Sequence, residues 1–119
     1  MADAQAWPTE IRISADHKTL SVTYDDGRSD ALPAEFLRVE SPSAEVQGHT
    51  PSQKVIIGGK REVTITGAVP VGAYAVRLTF NDGHSTGIFT WDYLRHLAEN
   101  HDTLWTTYLN ALAERGLTR

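Results

Sequence analysis

Leu78-Thr-Phe-Asn-Asp-Gly-His-Ser-Thr-Gly-Ile-Phe-Thr-Trp-Asp-Tyr-Leu-Arg95 reads as strand, tight turn, strand and helix. Tyr74, Val76, Leu78 and Phe80 alternate with small or polar residues, the period of a half-buried strand. Asn81-Asp82-Gly83 is a hairpin signal, because a primed turn needs positive φ and glycine supplies it without steric cost. Ile88 and Phe89 return the chain, and Thr90 is placed to cap a helix with Asp92 in its first turn.

The same pattern occurs earlier. Thr23-Tyr-Asp-Asp-Gly-Arg-Ser29 matches Thr79-Phe-Asn-Asp-Gly-His-Ser85 position by position. Leu32 falls opposite Ile88, and Phe36-Leu37-Arg38 opposite Tyr93-Leu94-Arg95 after one insertion. Both stretches read hairpin-then-helix, which makes an internal pseudo-repeat an expectation to be tested.

The remaining elements follow the same rules. Ile11 and Ile13 alternate in a first strand, and Leu20, Val22 and Tyr24 in a second. Pro33 to Arg38 predicts a short helix with proline in its first turn. Residues 39–52 are an irregular segment with two prolines and no apolar period. Val55-Ile56-Ile57 is a short apolar run turned by Gly58 to Arg61, and Val63 to Val69 predicts a strand ended by a turn at Pro70-Val71-Gly72. Trp91, Leu94, Leu97 and Ala98 share one helical face. Asn100-His101-Asp102 breaks the helix, with Asp102 as a second N-cap, and Leu104 to Leu112 form a second amphipathic helix ending at Arg115-Gly116. The expected fold is α+β: antiparallel sheets in two layers with a short internal helix and C-terminal helices. The expected organisation is one domain over 1–119, with 7–95 as its α+β body and 96–119 as a helical extension.

Composition limits the function. A chain of 119 residues with net charge −4 is soluble in character and is not a nucleic-acid surface. It has no cysteine, which removes disulfides, thiolate zinc sites and cysteine nucleophiles. No apolar run approaches the ~20 residues of a membrane span, and the first residues lack a signal pattern. The reading is cytoplasmic, with neither membrane nor nucleic acid as partner.

Asp82-Gly83-His84-Ser85 resembles a catalytic cluster, but adjacent strand residues point to opposite faces, and there is no nucleophile elbow. The five histidines show no paired metal-ligand spacing. A metal site would need His49 and His84 with a carboxylate, and only if the long loop folds back. Gly58-Gly59-Lys60 lacks the spacing of a phosphate loop and reads as a charged turn. No catalytic residues and no cofactor are assigned. The candidate binding residues are Arg38, His49, Asp82 and His84. The wide apolar face of the last helix makes Trp105, Tyr108 and Leu109 candidate interaction residues, and a homodimer through that face is one arrangement they would allow.

Leu37-Arg38-Val-Glu-Ser-Pro-Ser-Ala-Glu-Val-Gln-Gly-His49, Gly72-Ala-Tyr-Ala and Phe80-Asn-Asp-Gly-His84 with Thr86 to Arg95 resemble the bacterial domain-of-unknown-function family 971. That family is similar to the N-terminal domain of γ-butyrobetaine hydroxylase and trimethyllysine hydroxylase. The resemblance runs from about Ile11 to Arg95 and leaves out the last helix. In the hydroxylases this domain holds a structural zinc through three cysteines and a histidine. Carried across, the cysteine positions fall on Ser41, Ser43 and Val46, and the histidine on His84. The resemblance therefore implies a zinc site without its ligands, and a 40–52 loop held by packing and hydrogen bonds. It implies no oxygenase catalytic domain here, so the chain is read as a non-enzyme. The leading reading is a small non-catalytic binding or adaptor domain. The alternative is a metal-binding, oxygenase-associated or iron–sulfur-assembly accessory component. The partners implied are an oxygenase or an iron–sulfur carrier ATPase.

Overall fold

The computed structural model describes residues 7–48 and 53–119. Two three-stranded antiparallel sheets form an α+β fold. The first holds β1 (Pro8–Ile13), β2 (Thr19–Tyr24) and β3 (Ser29–Pro33), in that order. The second holds β4 (Ile65–Val71), β5 (Ala75–Phe80) and β6 (Gly87–Thr90). Each sheet is followed by a helix: α1 (Ala34–Val39) after β3, and α3 (Trp91–Glu99) after β6. A single turn, α2 (Ala44–Gln47), lies in the connection between the halves, and α4 (His101–Glu114) closes the chain.

The pseudo-repeat is present in three dimensions, and it covers more than the two hairpins. Trp7 and Asp25 exchange two hydrogen bonds, Asp25 N to Trp7 O at 2.8 Å and Trp7 N to Asp25 Oδ1 at 3.2 Å. Thr64 and Asn81 repeat the exchange, each bond being 3.0 Å. The pairing register slips between Pro8 and Glu10 in one half and between Ile65 and Gly67 in the other. Tyr24 N donates to Arg28 O at 2.8 Å, and Phe80 N donates to His84 O at 2.9 Å. Ala34 N at the start of α1 reaches back to Lys18 O, as Trp91 N at the start of α3 reaches Tyr74 O.

One alignment detail changes. Leu20 faces Leu32 in the first sheet, and Val76 faces Phe89 in the second. Leu32 is therefore equivalent to Phe89, not Ile88, and both are buried while Ile88 is exposed. The insertion lies just before this point, because a one-residue slip would turn the side chains to the wrong face.

Both halves feed one core. Leu20, Val22 and Leu32 meet Ile65, Leu78 and Phe89, covered by Phe36, Leu37, Leu94 and Leu97. Val39, Tyr108 and Leu112 form a smaller cluster with Ile56 and Trp105. Burial of each large apolar side chain contributes roughly 1.5–3 kcal/mol, so the shared core ties the halves together.

Several local expectations shift. Residues 39–52 were expected to be irregular, yet α2 forms within them, and Val39, Glu40, Ser41, Ser43 and Val46 are buried. Tyr93 Oη donates to Glu40 O at 2.6 Å, which holds this stretch against α3, and Gln47 Nε2 donates to Ser41 O at 2.9 Å within the stretch. The apolar run 55–57 is irregular; Ile56 packs on the small core, and Ile57 O accepts from Tyr108 Oη. Pro70 and Val71 belong to β4 rather than to the turn, which is allowed because β4 is an edge strand. Tyr74 sits in the turn instead and is exposed, with its ring against Gly72. Thr90 caps α3, accepting from Tyr93 N at 3.1 Å. Asn100 occupies the N-cap of α4, so Asp102 lies two residues further in than expected and complements the helix dipole.

Candidate functional site

The turn between β5 and β6 sets the geometry. Gly83 takes φ 92°, and its amide donates to Phe80 O at 3.1 Å. Asp82 Oδ1 accepts from His84 N at 3.0 Å, a side-chain turn that aspartate favours. This holds the second carboxylate oxygen towards two cations. Arg38 Nε, delivered by α1, donates to it at 2.7 Å, and Lys60 Nζ stands 2.6 Å away. Burial alone would raise the Asp82 carboxyl. The hydrogen bonds from Lys60, the His84 amide and Arg38 outweigh it and hold the group well below the usual carboxylate range.

His84 points the other way, into the protein, with its side chain 2% exposed. Nε2 lies 2.9 Å from Ser41 Oγ. Nδ1 lies 3.8 Å from Glu45 Oε2, and Glu45 Oε1 accepts from Thr86 Oγ1 at 2.7 Å. Burial, aided by the charge of Arg38, lowers the pKa of His84 despite Glu45 and Asp82. A neutral ring with its proton on Nδ1 suits this setting, facing Glu45 and accepting from Ser41. Gly87 makes the close approach feasible, since a Cβ there would stand 2.6 Å from Ser41 Oγ.

Serine, histidine and glutamate thus stand in the order of a nucleophile, base and orienting acid. Ser41 is 0% exposed, however, so its hydroxyl cannot meet a substrate carbonyl. The chain of contacts is a fold-holding node.

The implied zinc site can be tested on the same residues. Ser41 and His84 do come together across the fold, and Ser43 N approaches Ser41 Oγ at 3.4 Å. Among the described residues Ser43 Oγ is buried without a hydrogen-bond partner. Val46 is buried and apolar. One imidazole, two neutral hydroxyls and an isopropyl group do not fit zinc, which takes thiolates, imidazoles and carboxylates. Among the described residues no group of three or more His, Asp or Glu side chains is arranged to hold a metal ion.

The structure joins three of the sequence-predicted binding residues, Arg38, Asp82 and His84, and adds Lys60, Glu45 and Ser41. Lys60 lies in a turn that by sequence offered only a phosphate-loop fragment. Glu45 carried no signal, because its role depends on α2 folding against β6. His49 lies outside the described residues. Trp105 is half-buried between Phe36, His101 and Tyr108, with Arg119 5.2 Å above its ring. Tyr108 is 4% exposed, and its hydroxyl is bonded to Ile57 O. Leu109 is 38% exposed, so most of the apolar face of α4 is spent on packing.

Two open clefts flank the turns. One of about 270 Å³ runs beside the ion cluster, between Gly59, Lys60, Glu62, Val63, Asn81 and Asp82. The other, about 300 Å³, is lined by Trp7, Tyr74, Thr90, Trp91 and Asp92. Sequence reading placed two of its aromatics in a strand and a core helix face, and the third at the start of the fold.

A sequence model of the family described as Gamma-butyrobetaine hydroxylase-like, N-terminal, matches residues 11–95. The chain belongs to this family. Three solved structures resemble this γ-butyrobetaine hydroxylase-like N-terminal domain. A solution NMR structure shares 49% identity over 98% of this chain and 91% of its own, with TM-score 0.81. A second solution structure shares 38% identity over 100% and 89%, with TM-score 0.84. A crystal structure of a protein of unknown function from Acidithiobacillus ferrooxidans, assigned to the DUF971 family, shares 45% identity over 76% and 91%, with TM-score 0.64. The two solution structures span nearly the whole γ-butyrobetaine hydroxylase-like chain, including α4 beyond the family match. No functionally curated protein matches the chain. Among the described residues no helix is long and apolar enough to cross a membrane.

Proposed function

We propose that this γ-butyrobetaine hydroxylase-like domain is a non-catalytic binding or adaptor module that docks on a protein partner in the cytoplasm. The observation that supports the reading is the burial of Ser41 and His84 at the inner end of the Ser41–His84–Glu45 chain. Its potential nucleophile has no exposed surface, so the side chains best suited to chemistry hold the fold together. An oxygenase or an iron–sulfur carrier ATPase is the partner class that the family resemblance implies.

The test is cross-linking of the full chain in its native cells, followed by identification of what is captured, beside activity screens of the purified protein. A reproducible partner, captured equally by Ser41→Ala, is expected, with no turnover. Turnover of any substrate that is lost on Ser41→Ala, while the variant keeps a dispersed NMR spectrum, would sink the reading.

A further inference from the structure

We infer that the pocket holding Arg119 is a docking site for an arginine-bearing segment of a partner protein, and that residues 117–119 fill it in cis until the partner displaces them. This rests on the adaptor reading and names the surface the partner uses. Three elements build the pocket. Glu35 of α1 stands at its inner end, with its side chain only 7% exposed. Arg119 donates to both carboxylate oxygens, Nη2 to Oε1 at 2.8 Å and Nε to Oε2 at 3.1 Å. Trp105 of α4 forms a wall, its ring centre 5.2 Å from the guanidinium carbon. Gly58 and Gly59 form the floor. The Gly59 amide donates to Thr118 O at 2.8 Å. A Cβ on Gly58 would stand 2.7 Å from the same oxygen, so bare backbone is what lets a peptide lie this close.

A carboxylate fork, an indole face and an amide aimed at the preceding carbonyl together select an extended segment ending in arginine. A guanidinium fills such a fork with two parallel bonds and stacks on the indole, and an ammonium matches that geometry less well. The present occupant is lightly held. Residues 115–119 are all exposed, and the Arg119 side chain itself keeps 36% of its surface open. Gly116, at φ 68°, turns the chain out of α4, and the polar anchors beyond it are the Leu117 amide on Leu112 O, the Thr118 carbonyl and the Arg119 guanidinium. Lifting residues 118–119 away leaves the Glu35 carboxylate buried without this partner, a cost that an incoming arginine removes. The net charge of −4 favours approach of a basic segment.

The experiment is NMR titration of the full ¹⁵N-labelled chain, wild type and Arg119→Ala, with acetyl-Leu-Thr-Arg-amide and its citrulline and lysine counterparts. The arginine peptide is expected to give saturable shifts at the Gly59 amide and the Trp105 indole of both proteins, and in the wild type to move the Arg119 amide as well. It should bind Arg119→Ala roughly five- to thirtyfold more tightly, because the wild-type pocket is open only part of the time. Citrulline keeps the shape without the charge and should bind at least about fivefold more weakly than arginine, with lysine in between. No saturable shift with Arg119→Ala, equal affinity for the two proteins, or citrulline binding as tightly as arginine overturns the inference. So does a wild-type dimer in light scattering that Arg119→Ala abolishes, which would assign the pocket to a second copy of this chain. Any of these leaves the cross-linking result intact, so the two readings fail separately.

Discussion

Ser41 Oγ and His84 Nε2 meet at 2.9 Å in the interior, joining the 40–48 segment to the second hairpin. Ser41→Ala strands the buried ring nitrogen, and such a loss costs roughly 1–3 kcal/mol. Gly87→Ala should destabilise by a similar ~1–3 kcal/mol, because its Cβ would be 2.6 Å from Ser41 Oγ and 3.0 Å from the Phe89 ring. Urea unfolding checks both: the midpoint should fall with an unchanged slope.

His84 makes stability depend on pH. Burial holds its folded pKa below the ordinary value of 6.5. As pH falls through about 6.5, the unfolded chain takes up a proton before the folded one does. Stability should therefore decline from that point down to the lowered folded pKa. Arg38 and Lys60 strengthen the effect, and Glu45 and Asp82 oppose it. Urea midpoints measured between neutral and mildly acid pH should fall more steeply for the wild type than for His84→Gln. Parallel profiles would refute the assignment.

Asp82 shows the opposite sign. Its folded pKa is depressed, so its contribution is fully present above the ordinary aspartate pKa of ~3.9 and disappears as pH falls towards the folded value. Asp82→Ala leaves Arg38 and Lys60 facing each other without their shared carboxylate. The expected cost at neutral pH is about 2–4 kcal/mol, read from thermal or denaturant unfolding. The variant should also lose part of the wild-type acid sensitivity below about pH 4.

Gly27 and Gly83 occupy equivalent turns with φ 88° and 92°. Nothing stands within 4 Å of a Cβ added at either position. Alanine at each should therefore cost only the backbone strain of positive φ, about 1 kcal/mol, and by the same amount in both halves. A large difference between the two unfolding midpoints would show that the turns are not energetically equivalent.

Glu35 is buried in α1 and receives two hydrogen bonds from Arg119, at 2.8 and 3.1 Å. The same C-terminal segment donates no space to spare: Gly59 N bonds to Thr118 O at 2.8 Å, and a Cβ on Gly58 would be 2.7 Å from that oxygen. Arg119→Ala leaves a buried carboxylate without this partner. Because Arg119 is partly exposed, the expected cost is modest, about 1–2 kcal/mol. Glu35→Gln in the Arg119→Ala background should recover part of it, and a double-mutant cycle measures the coupling.

Much of the fold was legible because it follows from local rules. Period-2 alternation marked β2 and β5, Asp-Gly marked both turns, and Thr90 marked the start of α3. The halves could be matched by sequence because their turn chemistry is the same. Their alignment after the turn was read one residue off, since Leu32 could be set against Ile88 or Phe89 and only strand pairing chooses. Pro70 and Tyr74 were placed wrongly for a related reason. An edge strand tolerates proline, and alternation cannot tell a strand's end residue from the turn residue beside it.

Residue type and spacing were enough for the two hairpin–helix units, for the absence of cysteine and for the side chains that stand where the resemblance puts zinc ligands. These depend on residue type and near-neighbour spacing. Tertiary structure alone decided how the units exchange arginines. Arg38 crosses from α1 to Asp82 in the second hairpin, while Arg95 crosses from α3 to lie 4.2 Å over the Tyr24 ring and 3.5 Å from Asp30 in the first. It also decided that Ser41 partners His84 and that three aromatics from distant segments share one cleft. Such contacts join residues far apart in the chain, and they exist only once both sheets close on a common core.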